Sequence, residues 1–158
     1  MALLSFAVAG IVGIITLIVG IIMYVLTSIS HMKALRMLGY HTPWHAWIPI
    51  LRCMAYADSV SKEDNITIFG QKIPANIFKF WWVLLVVASL LTYVNGTLSS
   101  VLTIVVNVIC LGTIYGKMYA RLENKEESET QVIGYLSGWL TIIAIVKFFI
   151  YPENKSSN

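Results

Sequence analysis

Residues 3–27 read LLSFAVAGIVGIITLIVGIIMYVLT, a long apolar run without a charge. An α-helix rises 1.5 Å per residue and a bilayer core is about 30 Å thick, so about 20 helical residues suffice to cross it. The run is long enough to span. A cleaved signal peptide is the competing reading. No basic segment precedes the run, however, and its apolar length exceeds the roughly 7–15 residues of a signal core. We therefore read it as an uncleaved first helix.

The rest of the 158-residue chain agrees with that start. Hydrophobic residues make up 58% and charged residues 12%, with a mean hydropathy of +0.76. A soluble domain carries roughly 25% charged residues, and one this small leaves much of its surface in water. So much apolar surface requires lipid as part of the solvent. Three further runs follow, at 77–94, 98–119 and 132–151. Phe80, Trp81 and Trp82 open the first and Tyr93 closes it, as interfacial aromatics do. Asn95-Gly96 is a turn signal, so the second and third helices are antiparallel neighbours. Pro152 closes the last run, before a polar tail ending in Ser156, Ser157 and Asn158. These observations predict an all-α, integral membrane four-helix bundle, one domain over 1–158.

Lys and Arg set the orientation. Lys33, Arg36, Arg52, Lys62, Lys72 and Lys79 fall between the first two helices, and Lys117, Arg121 and Lys125 follow the third. The positive-inside rule puts the loops 28–76 and 120–131 in the cytoplasm and both termini outside, in a cell membrane. Glu123, Glu126, Glu127 and Glu129 share the second loop and weigh little in that rule. Lys147 and Lys155 alone fall on the outer side. Lys147 lies inside the last run, where a charge marks a functional site by default. Near a boundary it is read instead as snorkelling to the headgroups.

The long loop is the most individual segment. Trp44-His45-Ala46-Trp47-Ile48-Pro49-Ile50-Leu51-Arg52 is apolar but too short to span, so it is re-entrant or interfacial. Pro49 is expected to break or kink a helix there. Residues 66–74, ITIFGQKIP, predict a small cytoplasmic hairpin. An isolated hairpin is marginal in water, so it must lean on the rest of the chain or on a partner. His41 and His45 have the i, i+4 spacing of two metal ligands, but Pro43 lies between them, and they are read as interfacial. Asp58, Glu63 and Asp64 are read as solvated. Cys53, in the loop, and Cys110, in an apolar run, form no CxxC pair. They are read as embedded thiols. No catalytic, metal or cofactor set emerges. The +3 net charge forms no basic stripe interleaved with aromatics for nucleic acid.

Helices in lipid associate through small residues. The first helix offers Ala9, Gly13, Thr16 and Gly20 on one face. The third offers Ser100, Thr103, Asn107 and Cys110, then Gly112-xxx-Gly116. The last offers Gly134-xxx-Gly138 beside Ser137 and Thr141. Either these faces meet inside one bundle, with Asn107 hydrogen-bonded between helices, or one of them, most readily on the first helix, is left for a second copy or another membrane protein.

Trp44-His45-Ala46-Trp47-Ile48-Pro49-Ile50 resembles the W-x-A-x-I-P-I element of an uncharacterised family of small bacterial multi-pass membrane proteins. There too it follows the first span and a short basic stretch, and a Gly-Lys pair (here Gly116-Lys117) comes before a loop and a last span. Leu51-Arg52 stands where that family often has Tyr-Asn. The resemblance implies a bacterial cytoplasmic membrane and no established activity.

Three functional readings follow. The first is a non-enzymatic protein that binds another membrane component, as an accessory subunit or an immunity or exclusion factor. The second is an oligomeric pore, holin-like protein or small transporter. A relay of ions or protons finds little support, since Asn107 is the one strongly polar residue well inside a span. The third is a lipid-interface enzyme using His41, His45 or Asp58.

Overall fold

The computed structural model describes residues 2–62, 64–68 and 70–152, with side chains from residue 8 onward. Glu63, Phe69, Lys155 and the tail from Ser156 to Asn158 lie outside the described residues. The chain is mostly helical, with one small hairpin. Helix α1 runs Ala2–Met37. A 3-10 turn, Pro43–Trp47, leads into α2, Pro49–Val60. Strands β1, Asn65–Ile68, and β2, Gln71–Pro74, pair antiparallel, with Ile66 opposite Ile73. Then come α3, Ala75–Lys79, and α4, Trp81–Leu90, which a 3-10 turn prolongs to Tyr93. Helix α5, Gly96–Val106, passes through a π-helical segment, Asn107–Leu111, into α6, Gly112–Glu123. Helices α7, Glu127–Trp139, and α8, Thr141–Ile150, complete the chain.

Local chemistry accounts for the boundaries. Gly39, at φ +73°, ends α1: its N–H bonds Arg36 O and the Tyr40 N–H bonds Leu35 O, the paired closure that a left-handed residue permits. Asn124, at φ +53°, closes α6 in the same way, with Lys125 N–H on Ala120 O. The Asn95 side chain accepts from the Leu98 N–H at 3.0 Å and so caps α5. Pro49 does not interrupt a helix. It stands in the first turn of α2, where its missing N–H costs nothing. The segment that looked too short to span is thus a 3-10 turn followed by a twelve-residue helix. Cys53 accordingly lies on a helix and not in a loop.

The core gathers at one end of the molecule. Gly112 to Ala120 of α6 are buried without interruption. Around them sit His31 of α1, Tyr56 of α2, Phe78 of α3 and Phe148 of α8, each at most 2% exposed. The hairpin leans on this body through Ile66 and Ile68. The Arg121 guanidinium donates to the carbonyls of Ser59, Val60 and Ser61, which satisfies the open C-terminal end of α2. Two apolar pieces reach out from the body. One is residues 8–22 of α1, exposed throughout. The other is the α4–α5 pair, held by Ser99 Oγ donating to Ala88 O at 2.7 Å and by a 2.8 Å bond between the Thr92 and Ser99 hydroxyls. By length and composition, Val8–Met37 and Gly96–Glu123 could each cross a bilayer.

Two expectations fail on continuity. The run 77–94 is split at Phe80 (φ −108°, ψ 14°), and its apolar helix begins only at Trp81. The run 132–151 is split at Leu140 (φ −115°, ψ 88°). Helix α7 runs antiparallel to α6, with Thr130 Oγ1 on Gly116 O at 2.8 Å and Gly138 against Asn107 O. Helix α8 then turns back. Its Phe148 packs on Tyr115 and Tyr119, and Lys147 pairs with Glu123. The end of α8 therefore returns to the end of the molecule that holds Glu123 and Lys125. The helices are not four full-length rods side by side. Hydropathy cannot register such a break, because both halves and the residue between them are equally apolar.

Candidate functional site

The tightest contact in the molecule is a glycine clasp between α6 and α7. A Cβ on Gly134 would stand 2.5 Å from both Gly112 O and Gly116 N, and one on Gly138 would stand 2.7 Å from Gly112 N. A Cβ on Gly112 would meet Tyr135 Cα at 2.8 Å. Backbones this close exclude any side chain at Gly134 and Gly138. The π-helical segment, a geometry frequent at functional sites, delivers Asn107 O to the same contact. Asn107 contributes that carbonyl, and among the described residues its side-chain amide bonds no neighbouring helix.

Beside the clasp lies a polar centre. His31 Nδ1 lies 2.7 Å from Thr27 O, so it carries the proton and donates. Nε2 is then free to accept from the Tyr115 hydroxyl at 2.9 Å. Tyr56 stacks on the imidazole at 5.2 Å and Phe148 meets it edge-on at 5.0 Å. Arg52 of α2 donates from Nε to Ala46 O at 2.6 Å and from a terminal nitrogen to Ser28 Oγ at 2.8 Å. It also lies over the Tyr24 ring at 5.6 Å. The short loop segment is thereby pinned to α1, and the Tyr24 hydroxyl donates to Trp47 O. Burial pushes the Cys53 thiol up to about 11, so it is protonated and unreactive at neutral pH. Burial, reinforced by Tyr115, likewise holds the Tyr56 phenol well above its ordinary value.

This centre makes the first testable point. A Tyr115→Phe variant keeps the ring but leaves His31 Nε2 buried without a donor. The expected loss is about 1–3 kcal/mol of stability, read from thermal unfolding in detergent. Stability equal to wild type would mean that the 2.9 Å bond contributes nothing.

A third cluster closes the body. Glu123 accepts from Lys147 and from the Tyr151 hydroxyl, and pairs with Lys125 at 2.8 Å. Lys147 also lies over the Tyr119 ring at 4.8 Å. Lys147 is thus held at the Glu123 end and does not snorkel to the far boundary. Lys117, 4% exposed, pairs with Glu127.

The structure separates the sequence-derived residues into three groups. Gly112, Gly116, Gly134 and Gly138 meet in the clasp, with Asn107 at its edge. Trp44, His45, Trp47, Pro49 and Arg52 form the turn and helix start over α1. His45 Nδ1 lies 3.2 Å from Thr42 Oγ1, and Trp44 meets the His45 ring edge-on. Ala9, Gly13, Thr16 and Gly20 meet nothing: a Cβ on Gly13 or Gly20 has no atom within 4 Å, and Thr16 bonds only its own helix at Val12 O. His41 packs on Tyr40, and Asp58 pairs with Lys79 at 2.7 Å, a bond that raises the lysine's pKa. No hydrogen bond or ion pair joins His41, His45 and Asp58. Among the described residues, no group of three or more His, Cys, Asp or Glu could hold a metal. Sequence reasoning missed Tyr56, Tyr115, Tyr119, Glu123 and Phe148. The i, i+4 spacing of Tyr115 and Tyr119 was the one available signal.

Compared with family models, curated proteins and solved structures, the chain matches none.

Proposed function

We propose that this chain is an integral membrane protein that acts by binding another membrane protein through α1, and that it performs no catalysis. The observation that carries this reading is the bare outer half of α1. Residues 8–22 extend about 22 Å along the helix, with Leu17 64% exposed and Ile14 61% exposed. The Gly13 and Gly20 positions lie open on that segment. Small residues serve close helix contact in lipid, and this chain supplies no helix to use them.

The charge distribution supports insertion with the body in the cytoplasm. Every Lys and Arg among the described residues lies on the body or its surface, whereas residues 8–30 and 80–116 carry no charge at all. In this reading α7 and α8 form a re-entrant helical pair that enters from the cytoplasmic side and returns to it. That arrangement places Lys147 on the positive side with the rest, which four complete spans would not. The resemblance of the Trp44 to Ile50 element agrees with a bacterial cytoplasmic membrane. A self-associated pore remains the second reading, since the same bare face could pair with a second copy.

Gly13→Leu and Gly20→Leu test the contact. Neither meets an atom of this chain, so neither should lower its thermal stability. Crosslinking in native membranes followed by mass analysis should show a defined hetero-complex for wild type and its loss in both variants. A complex that survives both substitutions removes α1 from the contact. A homo-oligomer alone moves the function to the pore.

A further inference from the structure

A cavity of about 400 Å³ lies between α2, α4 and the end of the π-helical segment. Its walls are apolar, and it opens on one side past Leu85 and Val86. Its inner wall is different. Among the described residues, five buried side-chain nitrogen or oxygen atoms have no hydrogen-bond partner, and three of them belong to residues lining this one cavity: Tyr56 Oη, Trp81 Nε1 and Trp82 Nε1. Tyr56 is 1% exposed and Trp81 6%. Cys53 lies beside Trp81, but sulfur is a weak acceptor and does not satisfy the indole N–H. Burying a donor unpaired is costly, and three in one cavity is the pattern of a wall that meets an acceptor.

Arg52 lines the same cavity. Its two protein bonds leave further guanidinium N–H groups unused. No Asp or Glu among the described residues forms an ion pair with it. The lining therefore combines one uncompensated positive charge, three unpaired donors, no acidic side chain and an apolar exit at the level of the exposed apolar helices. A soluble anion would match the charge but not the exit. A hydrocarbon would match the exit but leave the donors bare.

We propose that the cavity binds an anionic glycerophospholipid. Its phosphodiester lies at Arg52, its ester oxygens accept from Tyr56, Trp81 and Trp82, and an acyl chain leaves past Leu85 and Val86. The site is independent of the α1 contact, since none of its residues belongs to residues 8–22.

Trp81 and Trp82 supply the readout. The full chain would be reconstituted in phosphatidylcholine vesicles containing small amounts of brominated-chain phosphatidylglycerol, or the same amount of brominated-chain phosphatidylcholine as the control. Quenching should favour the anionic lipid by about tenfold in apparent affinity, the scale of one charge-assisted hydrogen bond. The preferential part should shrink in Trp81→Phe and Trp82→Phe. Arg52→Gln should abolish the preference. Because Arg52 also holds Ala46 and Ser28, that variant is paired with Tyr56→Phe, which keeps the ring and removes only an unpaired hydroxyl. Tyr56→Phe should be at least as stable as wild type and bind the lipid about threefold more weakly, the scale of one neutral hydrogen bond. Equal quenching by the two lipids in wild type would overturn the proposal. So would an undiminished preference in folded Arg52→Gln and Tyr56→Phe. Equal quenching together with competition by a short-chain quinone would assign the cavity to a neutral acceptor head, and would overturn the anionic assignment as well.

Discussion

A Gly134→Leu variant is expected to lose the α6–α7 contact and, with it, the folded body. The atoms that its Cβ meets at 2.5 Å, Gly112 O and Gly116 N, are both backbone, so no rotamer change relieves the clash. The helices must separate. That would open the seam where Gly138 meets Asn107 O and where Thr130 reaches Gly116 O. Overpacking a well-filled contact costs about 1–3 kcal/mol and more where the backbone must move. The leucine case should therefore reach at least about 3 kcal/mol, a fall of roughly 6–12 °C in Tm for a domain of this size. Gly134→Ala should fall between it and wild type. The control is Gly13→Leu, an equal change in side-chain volume at a position with no atom within 4 Å, which should leave Tm unchanged. Thermal unfolding of the three purified variants in one detergent decides the matter. Gly134→Leu with a wild-type Tm would mean that α6 and α7 do not meet through these glycines.

The second large effect is topological and close to all-or-none. Cysteine placed at position 152, just beyond α8, should be labelled by a membrane-impermeant maleimide from the same face as cysteine at position 125. Residue 125 belongs to the loop after α6. In the structure Lys147 and Tyr151 both bond Glu123, whose other carboxylate oxygen pairs with Lys125. If α7 and α8 were one span, some 30 Å of hydrocarbon would separate the two positions. The native thiols should not confuse the result, because Cys53 and Cys110 are both buried. Labelling from opposite faces would restore a continuous last span and remove the re-entrant pair from the proposed arrangement.

Much of the fold was legible before any coordinates. Asn95-Gly96 marked the turn between α4 and α5 because an Asn cap and a Gly start are local chemistry. The ITIFGQKIP stretch marked the hairpin for the same reason: alternation and a positive-φ glycine act over a few residues. The glycine pairs on α6 and α7 were visible as i, i+4 stripes. Their partnership was not, since a stripe states that something small is needed at a contact without naming the other surface. The kink expected at Pro49 shows the limit from the other side. Proline forbids a helix interior, but the same residue is favoured at a helix start, and only its neighbours decide between the two. The polar centre was the least visible part. His31, Tyr56, Tyr115 and Phe148 lie on four different helices and have no common spacing. Lys147 and Glu123 are 24 residues apart and were assigned to opposite boundaries.

Taken alone, the sequence determined the solvent and the local punctuation. Uncharged runs of spanning length, a charged fraction half that of soluble domains and the gathering of Lys and Arg into a few segments are properties of composition along the chain, and they need no partner to exist. The tertiary structure alone decided that residues 132–151 fold back at Leu140, that the outer half of α1 stays bare, and that three unpaired donors and Arg52 share one cavity. Each of these depends on which surfaces meet. Hydropathy is a sum over residues and is blind to direction, whereas packing and hydrogen bonding are set by distances between residues far apart in the chain.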